Sequence, residues 1–233
     1  MNSYAKYVRS ALECQTENQI IEANNLYAQI SDKVPVGSYY KALERLNRRG
    51  DLVRLAKGLY YRPRKSRFGI VPMSEKDIID YYINNSRGII IGYRLYNHLG
   101  LTTQISKKTQ ILSSLVAGEQ RTIENIHISN CNLPLTEKTV PIIETMDILQ
   151  NYQHIEDINQ AVLALYMKNF AANYSDSDCI FVLKNKKYKK SAIAFLASFL
   201  DYHGVKNSLH LFLSGLSNYK IPRMEEFYES AKP

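Results

Sequence analysis

The chain has no tryptophan, only three cysteines, and nowhere eighteen apolar residues in succession. The last absence argues against a membrane-spanning helix, because crossing the hydrocarbon core takes about 20 predominantly apolar residues. The opening MNSYAKYVRSALEC has no continuous apolar segment of signal-peptide type. Cys14, Cys131 and Cys179 are odd in number and far apart, with no CxxC spacing, which fits a reducing compartment. A cytoplasmic protein with no membrane partner is expected.

Patterns of catalytic chemistry are equally sparse. His98, His127, His154, His203 and His210 are scattered without HExxH spacing, and no GxSxG serine appears. Asp176 and Asp178, in Tyr-Ser-Asp-Ser-Asp, form an Asp-x-Asp pair of the kind that holds Mg²⁺ in nucleotidyl transfer. Such a site also needs a glycine loop upstream to cradle phosphate, and residues 161–172 contain no glycine. A solvated loop that caps the next element is the better reading. No metal, no cofactor and no enzymatic activity are expected; a nucleic-acid enzyme acting through Asp176 and Asp178 is the rival with least support.

What the chain does have is concentrated positive charge. Its formal net charge is +8, and residues 41–67 alone carry ten Lys/Arg against Glu44 and Asp51, a net of the same +8. Residues 1–69 hold thirteen Lys/Arg and six Asp/Glu, whereas residues 70–233 hold seventeen and sixteen. Local basicity on an otherwise near-neutral chain points to an anionic partner.

The same segment carries a structural pattern. Tyr39, Ala42, Leu43 and Leu46 recur at helical spacing, with Lys41, Arg45 and Arg48 on the opposite face and Gly50 as the stop. Leu52, Val53, Leu55, Leu59, Tyr60 and Tyr61 are strand formers joined through Ala56, Lys57 and Gly58, so a β-hairpin follows the helix. Helices near 3–14 and 23–30 precede it. The whole reads as a winged helix-turn-helix, in which the second helix of the motif enters the major groove while wing and arms grip phosphate. Ser38, Tyr40, Lys41 and Arg45 are the candidates for base and near-base contacts; Arg48, Arg49, Arg54, Lys57 and Arg62 are the candidates for phosphate.

Two domains are expected, 1–68 for DNA binding and 69–233 behind it, divided at the polar stretch from Arg64 to Pro72. In the second, Ser74 with Glu75 and Asp77 marks a helix start, and strands are expected at 89–91, 109–115 and 124–129. Helices are expected at 92–99, 142–152, 157–173, 191–202 and, more weakly, 208–216. The fold class is α+β, with a mostly helical last third. A second basic cluster, Lys184–Lys190 with Tyr188 among the lysines, reads as an exposed loop before the 191–202 helix, or as a further contact for phosphate or an acidic surface.

The run Ala42–Pro63, ALERLNRRGDLVRLAKGLYYRP, resembles the N-terminal winged helix of AbiEi-type antitoxins. Phe68-Gly69 with Pro72, followed by GYRLYNHLGLTTQISKKTQIL from Gly92 to Leu112, is similar to the Ala-x-Asn-x-Leu-Gly-Leu-Ser/Thr-Thr-Gln block of an AbiEi-related group of bacterial regulators. Residues 97–104 carry that block; the resemblance spans about residues 18–150. It implies the antitoxin of a type IV toxin-antitoxin system, an autorepressor that binds inverted repeats of double-stranded DNA in its own promoter and counteracts a nucleotidyltransferase-like toxin. The alternative is a stand-alone winged-helix transcriptional regulator whose C-terminal domain dimerises or senses a ligand.

Overall fold

Val8 and Leu12 lie on the buried face of helix α1, Ser3–Glu13, the first element of a computed structural model that describes residues 3–231. Strand β1, Ile20–Glu22, and helices α2, Ala23–Ala28, and α3, Val36–Arg48, follow. The four apolar positions expected on one face of α3, Tyr39, Ala42, Leu43 and Leu46, are its buried residues. With Val8, Leu12, Ile21, Leu26 and Leu52 they form one core, each fully buried aliphatic stabilising the fold by roughly 1.5–3 kcal/mol.

Gly50 ends α3 for a backbone reason. At φ +73° it occupies the left-handed region, while its N–H bonds to Asn47 O and the Asp51 N–H to Leu46 O, both at 3.0 Å. That paired closure satisfies helix carbonyls that would otherwise lack partners, and a residue without Cβ adopts it at least cost. The hairpin then forms as expected, with β2 Val53–Ala56 and β3 Leu59–Tyr61 turning through Lys57 and Gly58.

Two features of this part are not visible in the sequence. β1 pairs antiparallel with β3, making a three-stranded sheet of order β1-β3-β2. The polar stretch read as a linker forms a second hairpin, β4 Arg64–Ser66 with β5 Gly69–Val71. A ladder of main-chain hydrogen bonds does not need an apolar face, so composition alone does not reveal it.

By internal contacts the chain divides into two compact units. One runs to Tyr81 and takes in Thr122–Glu124; the other comprises Tyr82–Arg121 and everything from Asn125 onward. The helix expected from Ser74 is α4, Glu75–Ile83. Its start is a reciprocal cap: Ser74 Oγ accepts from the Asp77 N–H at 3.1 Å and Asp77 Oδ2 accepts from the Ser74 N–H at 3.2 Å. The Ser74 hydroxyl, which donates to Asp77 Oδ2 at 2.6 Å, and then the Ser74 N–H hold the Asp77 carboxyl below its usual range.

The fold class is α+β with a helical C-terminal part. Strand β6, Gly88–Ile91, and helix α5, Tyr93–His98, precede strands β7, Thr109–Ser113, β8, Gln120–Ile123, and β9, Ile126–Asn130. The sheet order is β6-β7-β9-β8, β6 and β7 pairing antiparallel, β7 and β9 parallel. Among the described residues five α-helices follow: α6 Thr139–Asn151, α7 Gln160–Ala172, α8 Asp176–Asn185, α9 Lys190–Tyr202 and α10 Met224–Glu229. Their core includes Ile143, Met146, Leu163, Met167, Val182, Leu196 and Phe199, all fully buried.

Helices α8 and α10 were not expected, and residues 208–216 hold only a 3-10 turn at Leu209–Phe212. The Tyr-Ser-Asp-Ser-Asp segment does cap the next element. Ser175 is the N-cap of α8, and Asp176 and Asp178 occupy its first turn, where carboxylates favour the positive end of the helix dipole.

Candidate nucleic-acid interface

On α3, Ser38, Lys41, Arg45 and Arg48 recur at intervals of three, four and three residues. That spacing places them on one face, opposite the buried Tyr39 stripe. Ser38 is half-buried; the other three are exposed. Among the described residues neither Lys41 nor Arg45 forms an ion pair, whereas Arg48 meets Glu44 at 2.5 Å.

Tyr39 holds this helix in place. Its hydroxyl donates to the carbonyl of Ala23 at 2.7 Å, and burial raises the phenol pKa, so it remains a neutral donor. Next to it, Tyr40 is exposed and donates to Asn24 Oδ1 at 2.9 Å. The first helical turn of α3 is thus bonded to α2 by two consecutive tyrosines, one inside and one outside.

The remaining candidates differ in how committed they are. Lys57 is exposed at the β2–β3 turn, beside Gly58 at φ +76°. Arg54 is exposed and donates from Nε to Ala56 O at 3.4 Å, while its own N–H bonds to Asn47 Oδ1 at 3.1 Å, fixing the strand to the end of α3. Arg49 lies 3.6 Å from Asp51. Arg62 stands apart: its Nη1 donates to the carbonyls of Glu13 at 2.9 Å and Gln15 at 2.5 Å. Its guanidinium is used on the main chain at the end of α1.

Asp51 shows why the local charge stays positive after pairing. One carboxylate faces Arg9 at 3.8 Å, Arg49 at 3.6 Å and Lys65 at 3.4 Å. Exposed pairs of this kind contribute about 0–1 kcal/mol and are readily exchanged for a phosphate. Arg9 lies outside the 41–67 run, so counting charge along the sequence does not find it; neither does any periodicity signal the exposed Arg64, Lys65 and Arg67 of the second hairpin.

In the other unit, the Gly92–Leu112 block is built as a clamp. Gly100, at φ +72°, closes α5, with the Leu101 N–H bonded to Tyr96 O at 2.8 Å. Asn97 Nδ2 donates to Thr102 O, Thr102 Oγ1 to Glu156 O at 2.7 Å, and Gln104 Nε2 to Asp157 Oδ2 at 2.6 Å. Tyr96 donates to Asp147 Oδ2 at 2.7 Å, and the Gly92 N–H reaches the same oxygen at 2.9 Å. Burial and the Asp147 carboxylate together raise the Tyr96 pKa. These residues fix α5 to α6 and to the segment before α7.

A cleft of about 640 Å³ opens beside α6, α7 and α8, lined by Glu144, Tyr166, Phe170, Tyr174 and Asp178 among others. Burial, helped by Asp147, pushes the Glu144 carboxyl up to about 7. Asp176, the other member of the Asp-x-Asp pair, accepts from the Tyr174 hydroxyl and from the Ser208 N–H, both at 2.8 Å. Burial pushes the neighbouring Cys179 thiol up to about 12, which makes it a poor nucleophile at neutral pH. In the second basic cluster, Lys189 Nζ donates to Gln150 O at 3.1 Å, Lys190 Nζ donates to Phe212 O, and Lys186 lies over the Tyr188 ring. Among the described residues no helix is long and apolar enough to cross a membrane.

Residues 20–167 match the model of a family described as a family of unknown function, DUF6088. A search of curated proteins finds no match. Among solved structures the chain is similar to the RV2827C protein from Mycobacterium tuberculosis, with 14% identity, a TM-score of 0.43, and coverage of 88% of this chain and 78% of that one.

Proposed function

As a member of the DUF6088 family, whose function is unknown, the chain inherits no activity from its relatives, and from its own residues we propose that it is a DNA-binding transcriptional regulator. The first unit acts as a winged helix-turn-helix: α3 is the recognition helix, entering the major groove, and the β2–β3 hairpin is the wing. The observation that carries this reading is the stripe of half-buried Ser38 and exposed Lys41, Arg45 and Arg48 on a helix whose opposite face is buried, followed at once by a hairpin with Lys57 at its turn. Lys41 and Arg45 are the side chains most available to bases, Arg48, Arg49, Arg54 and Lys57 to phosphate. Arg62 serves the fold first.

The resemblance of Ala42–Pro63 and Gly92–Leu112 to AbiEi-type sequences supports a narrower version, in which the chain represses its own promoter and is the antitoxin of a type IV pair. The Gly92–Leu112 block contributes a packing clamp to that likeness, so the antitoxin role has its own test. Co-expression with the adjacent reading frame separates the two: relief of that frame's growth inhibition supports the antitoxin, and unrelieved inhibition, or the absence of any inhibition, removes it.

The second reading is a regulator whose larger unit senses a ligand, favoured by the cleft beside Glu144 and Tyr166. Both readings share the DNA-binding step. A gel shift with the chain's own upstream DNA at low salt tests that step, and no complex under those conditions would remove both.

A further inference from the structure

The second hairpin, Arg64–Val71, has a tip that its fold does not explain. Ser66 pairs with Gly69, leaving Arg67 and Phe68 as the two residues of the turn. The turn geometry itself calls for neither side chain: the positive φ of the turn falls on Gly69, at +114°, and not on Arg67 or Phe68, and such a turn accepts most residues at its centre. Phe68 is 86% exposed, so it forgoes burial worth roughly 1.5–3 kcal/mol. The Arg67 guanidinium lies over the ring, 4.7 Å from its centroid.

The tip is nevertheless held. Ser66 Oγ accepts from the Phe68 N–H at 3.1 Å and donates to Gly69 O at 3.2 Å. The base of the hairpin is anchored too. Asn18 Oδ1 accepts from the Arg64 N–H at 3.1 Å, Lys65 pairs with Asp51, and Ile70 Cδ1 lies 3.3 Å from where a Cβ on Gly50 would stand. The hairpin is therefore rooted at the C-terminal end of the basic helix α3.

An exposed aromatic flanked by Arg64, Lys65 and Arg67 calls for a partner that is both anionic and able to receive an apolar ring. A basic flank disfavours cationic surfaces, and an apolar protein groove gives it no counter-charge. Double-stranded DNA offers both properties in its minor groove, where apolar side chains wedge between base steps and arginine answers the negative potential. We infer that Arg67 and Phe68 form a second DNA contact, a wedge that enters the minor groove, partly unstacks one base step and bends the duplex. This rests on the DNA-binding reading and adds a site distinct from the α3 stripe.

The test uses the full chain, its own upstream duplex and a circularly permuted set of fragments that reports bending. The wild type bends the duplex by an angle within roughly 20–90°. Phe68→Ala still forms the complex but loses the bend, and Phe68→Leu, which keeps an apolar wedge, retains most of it. Permanganate reactivity of an unstacked thymine appears with the wild type and disappears with Phe68→Ala. A wild-type complex without a bend, or a bend unchanged in Phe68→Ala, overturns the wedge while leaving DNA binding intact. No complex with the wild type overturns both. Binding of the wild type to anionic phosphatidylserine vesicles, lost in Phe68→Ala while DNA bending is unaffected, reassigns the tip to a lipid surface and overturns the wedge.

Discussion

Tyr39 donates its hydroxyl hydrogen to the main-chain oxygen of Ala23 at 2.7 Å, across sixteen residues of sequence. The helix that bears the basic stripe is thereby fixed to the helix before it by a buried bond. Tyr39→Phe keeps the ring and removes that bond, and is expected to lower unfolding free energy by about 1 kcal/mol. Tyr39→Ala also empties the core and should cost about 3–5 kcal/mol, by analogy with other large aromatic truncations. Urea denaturation followed by circular dichroism measures both.

Lys57 and Arg62 separate contact from architecture. Lys57 is exposed on a turn, so Lys57→Ala should leave stability within about 0.5 kcal/mol and reduce the salt slope of DNA binding by about one. Arg62→Ala removes charge-assisted bonds to Glu13 O and Gln15 O and is expected to destabilise by about 1.5–3 kcal/mol. Equal stability losses in the two variants would contradict this division.

That contrast also marks how far the sequence can be read. α3 and its hairpin are legible because the apolar residues repeat with the period of each element and Gly50 marks the boundary. Arg62 is different: its partners are main-chain carbonyls 49 and 47 residues earlier, and no side-chain pattern announces a carbonyl. β1 has only three residues, too few for an alternation to show. The second hairpin is exposed along β4, so it has no apolar period. α8 opens with Ser-Asp-Ser-Asp after Tyr174, residues typical of turns, and its helical character lies in the Cys179, Val182 and Leu183 that it buries.

Glu144 predicts a pH dependence. Its folded-state pKa, about 7, is above the ordinary carboxylate value of 4.5 because burial and Asp147 disfavour the charged form. A raised folded pKa means that the stabilisation is fully present below the unfolded value and is lost as pH rises through the folded one. The wild type should therefore lose stability between about pH 4.5 and pH 7 relative to Glu144→Gln, with the difference constant above. Melting temperatures of both proteins across pH 4–8 check this; parallel curves would contradict it.

Asp147 is buried and accepts from the Gly92 N–H, the Tyr96 hydroxyl and the Gln150 amide. Asp147→Ala removes the carboxylate from all three donors, leaving the Tyr96 hydroxyl the main-chain oxygen of residue 147 at 3.2 Å, and should cost about 1–3 kcal/mol. Amide exchange should accelerate around Gly92 if α5 is released, and an unchanged rate there would argue that the clamp is held by other bonds.

The central claim is that α3 binds duplex DNA through Lys41 and Arg45. Fluorescence anisotropy with a labelled duplex from the chain's own upstream region, titrated at several salt concentrations with the wild type and with Lys41→Ala/Arg45→Ala, tests it most directly. The expected result is an affinity that falls steeply and linearly in log–log form with salt, and that drops at least tenfold in the double variant, consistent with about 1–3 kcal/mol for an arginine reading a guanine. An affinity that is flat in salt, or the same for both proteins, would contradict the account.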